Sequence, residues 1–186
     1  MLQPIELKLR NHLPEHCYYH SADHTLDVLK QVGVVGEAQG LTEDELSIVR
    51  VAALFHDVGF VVSRKNHEEE GCRIFRDYSL GYDLPFEDMR LIESCIMSTK
   101  IPQSPGTLME KVLCDADLDY LGRKDFGKIS DLLFRELMAC GEIKTREQWN
   151  EIQIRFLTNH VYHTEYSKNK RSEGLMLNLQ ILKDQV

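Results

Sequence analysis

Three times in this chain a threonine stands three residues before a glutamate or glutamine, and each time apolar residues follow at helical spacing. Thr42 with Glu45 precedes Leu46, Val49, Ala53 and His56. Thr107 with Glu110 opens a stretch through Val112, Cys114 and Ala116 towards Leu121, and Thr145 with Gln148 precedes Trp149, Ile152, Phe156 and His160. A threonine hydroxyl accepts from the backbone N–H three residues on while the longer side chain reaches back, so the pattern marks helix starts. Asn66 ahead of Glu68, Glu69 and Glu70 sets acidic groups at the positive end of a further helix. Pro85 suits a first helical position ahead of Met89, Ile92 and Ile96. Strand-like alternation is scarce; the short run Phe60-Val61-Val62 after Gly59 comes nearest to it. The expectation is an all-α bundle of about seven to nine helices, with loops near residues 78–85 and 98–105.

A chain of 186 residues has the length of one domain, and its apolar fraction of 42% is too high for a disordered tail. One domain over residues 1–186 is expected, with a core from about 10 to 135 and C-terminal helices from about 145 onward packing on it. The 30 acidic side chains outnumber the 22 basic ones, a formal charge of −8. That balance argues against duplex nucleic acid as a partner, because a basic surface is needed to displace phosphate counterions. It leaves room for a small phosphorylated substrate, since one bound cation can dominate the field inside a pocket. The 5 cysteines form no CxxC pair and suit small buried hydrophobes in a reducing compartment. No run approaches the ~18 apolar residues of a membrane span, so no membrane association and a cytoplasmic location are expected.

Chemistry concentrates in three places. In Tyr18-Tyr19-His20-Ser21-Ala22-Asp23-His24, the two histidines are four apart and share one helical face. In Leu54-Phe55-His56-Asp57-Val58-Gly59, adjacent polar residues close an apolar helix. Within a regular helix they would point about 100° apart, so both reach one point only where the helix ends. In Val112 to Gly122, Asp115, Asp117 and Asp119 lie in an apolar segment, where an uncompensated buried carboxylate is costly and a cation is its natural partner. In chain order these give His, then His-Asp, then Asp. Two neutral nitrogens and two anionic oxygens suit a divalent ion such as Mn²⁺, Fe²⁺, Mg²⁺ or Zn²⁺.

On those residues, and most sharply on YHSADHTLDV, ALFHDVG and LCDADLDYLG, the chain resembles the HD superfamily of metal-dependent phosphohydrolases, an all-α fold with the signature H…HD…D. The first segment also resembles the corresponding stretch of cyclic-nucleotide phosphodiesterases. The resemblance implies His24, His56, Asp57 and Asp115 as ligands of one divalent metal, with room for a second ion. Asp117 is the reserve for the distal position; the two aspartates differ by about 200° around a helix and cannot both serve. Spacing to Tyr120 and Leu121 resembles nucleotidase members when Asp115 is the ligand. His20 matches the histidine that protonates the leaving oxygen, and Asp57 would orient the attacking water. His67, ten residues past the doublet, is expected to line the site, with Glu68 as a substitute for the acidic residue some nucleotidases carry. Lys100, Arg123 and His160 are the expected substrate contacts. His163, Lys168, Lys170 and Arg171 lie near His160, although such a cluster equally suits a solvated helix end.

The resulting expectation is a phosphohydrolase acting on a phosphomonoester or phosphodiester, a nucleotide foremost. Its rivals are a non-catalytic nucleotide- or metal-binding module and a di-iron oxygenase of the same superfamily. The additional histidines of clearly binuclear branches are missing, which weighs against the oxygenase.

Overall fold

The computed structural model describes residues 1–185. Among them the chain forms nine α-helices, two short 3-10 turns and no strand, as expected for an all-α bundle. The helices are α1 (Leu2–His12), α2 (Ala22–Ala38), α3 (Glu43–Phe55), α4 (His67–Ser79), α5 (Phe86–Ser98), α6 (Leu108–Asp117), α7 (Phe126–Ala139), α8 (Arg146–Asn159) and α9 (Glu165–Lys183). The 3-10 turns are Val58–Val61 and Asp119–Gly122.

Local chemistry sets most boundaries. Thr42 and Thr107 each close a reciprocal capping box with Glu45 and Glu110. At Thr145 the box is half made: its hydroxyl accepts from Gln148 N–H, but the Gln148 side chain accepts from Lys144 N–H instead. Pro85 sits one position earlier than expected, as the residue before the first helical one. The β-branched run after Gly59 is a 3-10 turn, not a strand.

Apolar side chains gather in two clusters. The first draws Val28, Val32 and Val35 from α2, Val49 and Phe55 from α3, and Ile96, Val112 and Leu113 from α5 and α6, with α1 and α4 closing its sides. The second joins Tyr19 and the turn Asp119–Gly122 to Phe126, Leu157, Leu175 and Leu179 of α7, α8 and α9. Both layers need close backbone approaches. A Cβ at Gly59 would stand 1.9 Å from the His67 carbonyl oxygen, so this glycine lets the turn after α3 press against the start of α4. In the second layer Gly122 and Gly174 face each other, and a Cβ on Gly174 would lie 2.1 Å from Gly122 O. No helix of the described residues is long and apolar enough to cross a membrane.

These contacts oppose helix propensity in a testable way. Alanine normally stabilises a helix interior over glycine by up to about 1 kcal/mol. Gly174→Ala should nevertheless destabilise by about 1–3 kcal/mol, because the added methyl forces α9 off the turn. Gly127→Ala, where a Cβ meets nothing within 4 Å, should stabilise by a few tenths to about 1 kcal/mol. Urea denaturation followed by circular dichroism reads both signs.

Candidate metal centre

Three breaks in the helical pattern build the site. His24 lies in the first turn of α2, whose N-cap Ser21 accepts from the His24 backbone N–H. His56 closes α3, and at Asp57 the backbone turns to φ −106°, ψ −2° before entering the 3-10 turn. That change of direction brings two adjacent side chains to one point, with Asp57 Oδ2 3.2 Å from His56 Nε2 and 3.4 Å from His24 Nε2. The His56 Nδ1 lies 2.8 Å from the Ala53 carbonyl, which holds the ring proton there and leaves Nε2 as the electron-pair donor. From the last residue of α6, Asp117 Oδ1 stands 3.2 Å from His24 Nε2 and 3.7 Å from His56 Nε2.

The donor set fits a divalent cation. Asp57 Oδ2 is buried and has no hydrogen-bond partner among the described residues, an arrangement that is costly unless a cation compensates it. Ligand atoms about 2.1 Å from an ion lie about 3.0–3.4 Å from one another at tetrahedral to right angles, and most separations here fall in that range. The electrostatics agree. Burial alone would lower the His56 pKa, but Asp57 and then Asp117 override it and raise it to about 9. Against its own burial, Asp57 is held well below the usual carboxylate range by His56, with smaller help from His20 and His24.

The expected distal ligand needs correction. Asp115 is fully buried on the other side of α6, where its two oxygens accept from His163 N–H at 2.8 Å, Thr164 N–H at 2.8 Å and Thr164 Oγ1 at 2.6 Å. It is saturated by the segment that starts α9 and stands apart from the histidines. Asp117 takes the position beside His24 and His56. Asp119 turns a third way, accepting from Arg171 Nε at 2.7 Å.

Beside the centre opens a cavity of about 520 Å³ whose wall includes His20, Asp57, His67, Glu68 and Asp117. The His20 and His67 rings flank the Phe60 ring at centroid distances of 4.0 and 4.2 Å. His67 Nε2 is 3.7 Å from Asp57 Oδ1 and 3.3 Å from Glu68 Oε1, so this histidine belongs to the cavity wall. His20 is held by Glu136, a fully buried carboxylate that lies 2.5 Å from His20 Nδ1 and also accepts from the backbone N–H groups of Tyr19 and His20. Arg64 Nη1 donates to the same carboxylate at 2.6 Å. Burial would raise the Glu136 pKa, but His20 and Arg64 bring it down to about 2.

Three expected substrate contacts stand elsewhere. Lys100 is exposed and pairs with Glu69, although its neighbours Thr99 and Ile101 line the cavity. Arg123 is enclosed by Asp27 at 2.7 Å, Asp125 at 2.8 Å and Asp119 at 3.6 Å. His160 lines a neighbouring cavity of about 420 Å³ with His163 and Phe156. Of the lysines and arginines near these places, Arg64 alone lines the larger cavity. Glu136 and Arg64 were not singled out from the sequence. Glu136 lies 116 residues from its partner His20, and no local pattern links them.

A helical bundle with a largely buried His, His-Asp, Asp cluster whose two aspartates line a cavity defines an all-α class of domain with a candidate metal centre. The chain belongs to the HD domain family, whose sequence model matches residues 21–118, more than half of its length. That family lies within the superfamily of metal-dependent phosphohydrolases. Comparison with curated proteins finds no match.

Two outcomes follow from the geometry. Asp117→Asn should weaken Mn²⁺ binding at least tenfold in calorimetric titration with the fold intact. Asp115→Asn should keep Mn²⁺ binding within a few-fold of the parent while destabilising the protein by at least ~1.5 kcal/mol, since it disrupts charged hydrogen bonds in a buried site. The second concerns pH. Burial lowers the His160 pKa to about 4, so the unfolded chain takes up this proton first on acidification. Stability from this group is therefore complete above about pH 6.5 and declines as pH falls towards 4. His160→Gln should flatten that limb of the stability–pH curve by on the order of 1–3 kcal/mol, measured by urea denaturation at pH 7.5 and 4.5.

Proposed function

We propose that the protein is a metal-dependent phosphohydrolase that opens the P–O bond of a phosphomonoester or phosphodiester, with nucleotides the first class to test. The observation that carries this reading is the buried, unpartnered Asp57 Oδ2 beside the Nε2 atoms of His24 and His56, which Asp117 also approaches; Asp57 and Asp117 line a cavity whose wall includes His20. A single divalent ion bound there supplies Lewis acidity towards a phosphoryl oxygen and a water nucleophile at neutral pH. Asp57 has a second oxygen, Oδ1, turned towards His67, and this oxygen would orient the attacking water. His20 acts on the leaving oxygen. Its Nδ1 is fixed on the ionised Glu136, which leaves Nε2 as the nitrogen that moves a proton at the cavity wall. Glu136 is thus a positioning residue. Arg64 uses Nε and Nη1 on Glu142 and Glu136, and its remaining Nη2 is available to a phosphoryl oxygen. On the far side of Asp57, Oδ1 faces His67, while the described residues bring three donors together only at His24, His56 and Asp117, which favours a single ion.

The test is a turnover screen of aryl phosphates, aryl phosphodiesters and nucleotides with metal-depleted protein, restored in turn with Mn²⁺, Fe²⁺, Mg²⁺ and Zn²⁺. His20→Ala should keep the metal stoichiometry and lose about 10²–10⁴ in kcat. Glu136→Gln should lose less and move the pH profile, as expected for a residue acting through His20. A protein that binds one ion yet turns over no ester faster than its His24→Ala variant would be the non-catalytic module instead.

A further inference from the structure

The cavity wall has two chemically different ends. Near the centre stand the carboxylates of Asp57, Glu68 and Asp117, and Arg64 is the one lysine or arginine side chain of the lining; Glu142 stands farther out, its backbone N–H donating to Leu137 O. Two of the Arg64 donors already serve Glu136 and Glu142. A divalent ion would offset two of these three negative charges, and the lining holds no further lysine or arginine for a second or third phosphate. Two phosphates would therefore meet like charge at short range in a partly desolvated space.

The other end is apolar. Leu121, Phe126, Leu133, Leu137, Trp149 and Phe156 line it, contributed by the turn after α6 and by α7 and α8. Few polar atoms there are left to bind a ligand: the Trp149 indole N–H donates to Ser130 Oγ and the Ser130 hydroxyl donates to the Gln153 side-chain oxygen, which leaves the Gln153 side-chain amide N–H groups as donors. A sugar or nucleobase seated at this end would leave several of its own donors and acceptors without partners, each at a cost. A hydrocarbon or simple aromatic group leaves none.

We propose that this cavity binds molecules bearing a single phosphoryl group on an apolar remainder, an alkyl, prenyl or aryl chain, in preference to nucleotides and other polyphosphates. The inference rests on the phosphohydrolase reading for the phosphoryl group's place beside the metal ligands, while the apolar preference rests on the lining itself. The Leu133 and Leu137 wall takes the chain, and the single anionic head stays at the centre with Arg64.

The experiment uses n-alkylphosphonates from methyl to octyl, whose C–P bond is not hydrolysed, titrated into Mn²⁺-loaded protein. Trp149 is the chain's only tryptophan and lines the apolar end, so its fluorescence reports occupancy directly. Affinity should rise about two- to fourfold per methylene until the cavity is filled, with the Trp149 emission changing in step. Octylphosphonate should bind more tightly than AMP, and AMP more tightly than ATP. In Leu133→Gln the gain per methylene should fall below about twofold; should that variant not fold, the parent series decides. A flat series, or ATP binding more tightly than octylphosphonate, would overturn the proposal. Failure of every phosphoester to turn over, with the chain-length gradient intact, would remove the hydrolase reading and leave the apolar preference supported.

Discussion

At Asp57 the chain removes a carboxylate from water and gives one of its oxygens no hydrogen bond, and much of the first helical layer is arranged around that charge. Helix α3 is apolar for its whole buried length and ends at the doublet, so the polar pair is delivered to the interior and not to the surface. Gly59 allows the chain to turn immediately and α4 to start against it, which sets His67 and Glu68 on the carboxylate's far side. His24 and Asp117 arrive from α2 and α6, two of the helices packed on α3. The charge is balanced either by a proton on His56, whose pKa lies near 9, or by a cation on the same Nε2 atoms. The two compete, so acidification and ion binding oppose each other.

The second layer has a different task. Its helices provide none of the four converging side chains. They provide Glu136, which fixes the His20 ring and its loop, and the apolar wall that makes the centre the floor of a cavity. This division separates the requirements of the site. Holding an ion needs close, rigid donors, and these come from helix ends in a tightly packed core. Seating an organic group, on the proposed reading, needs shape and few competing polar atoms, and the faces of α7 and α8 offer a mostly apolar wall.

Much of the fold was legible because its signals are local: capping boxes at Thr42 and Thr107 and the scarcity of period-two alternation. The His24, His56-Asp57 part of the centre was legible for a related reason, since helix geometry alone says where adjacent residues can converge. The choice between Asp115 and Asp117 was not. Val112, Leu113, Cys114 and Ala116 are all buried, so the second half of α6 has no solvent face against which its apolar pattern could be read. Both aspartates look equally interior, and only the placement of α9 shows that Asp115 already has three donors. Lys100, Arg123 and His160 misled in another way. For Lys100 and Arg123, proximity in sequence to the distal aspartate suggested proximity to the cavity, whereas Lys100 pairs with Glu69 and Arg123 is enclosed by carboxylates; His160, chosen for its helical face with Phe156 and His163, lines the neighbouring cavity. Glu136 and Arg64 carry no local signature, because their meaning comes from a contact with His20 across most of the chain.

The alternation of aspartates from 115 to 119 is the place where the two layers become one. Asp115 binds the backbone of the segment entering α9, and Asp119 binds Arg171 within it. Asp117 lies between these anchors, at the point where α6 gives way to a 3-10 turn that itself packs on α9 through Gly122 and Gly174. A side chain at the end of a helix would ordinarily be among the least constrained, since helix ends fray. Here flanking carboxylates tie both sides of the break to α9 and the segment that enters it, which restrains Asp117 between them. The rigidity of the metal centre therefore depends on α9, which contributes no side chain to it. The family match ends at residue 118, but the anchors for its last aspartate lie in the segment beyond.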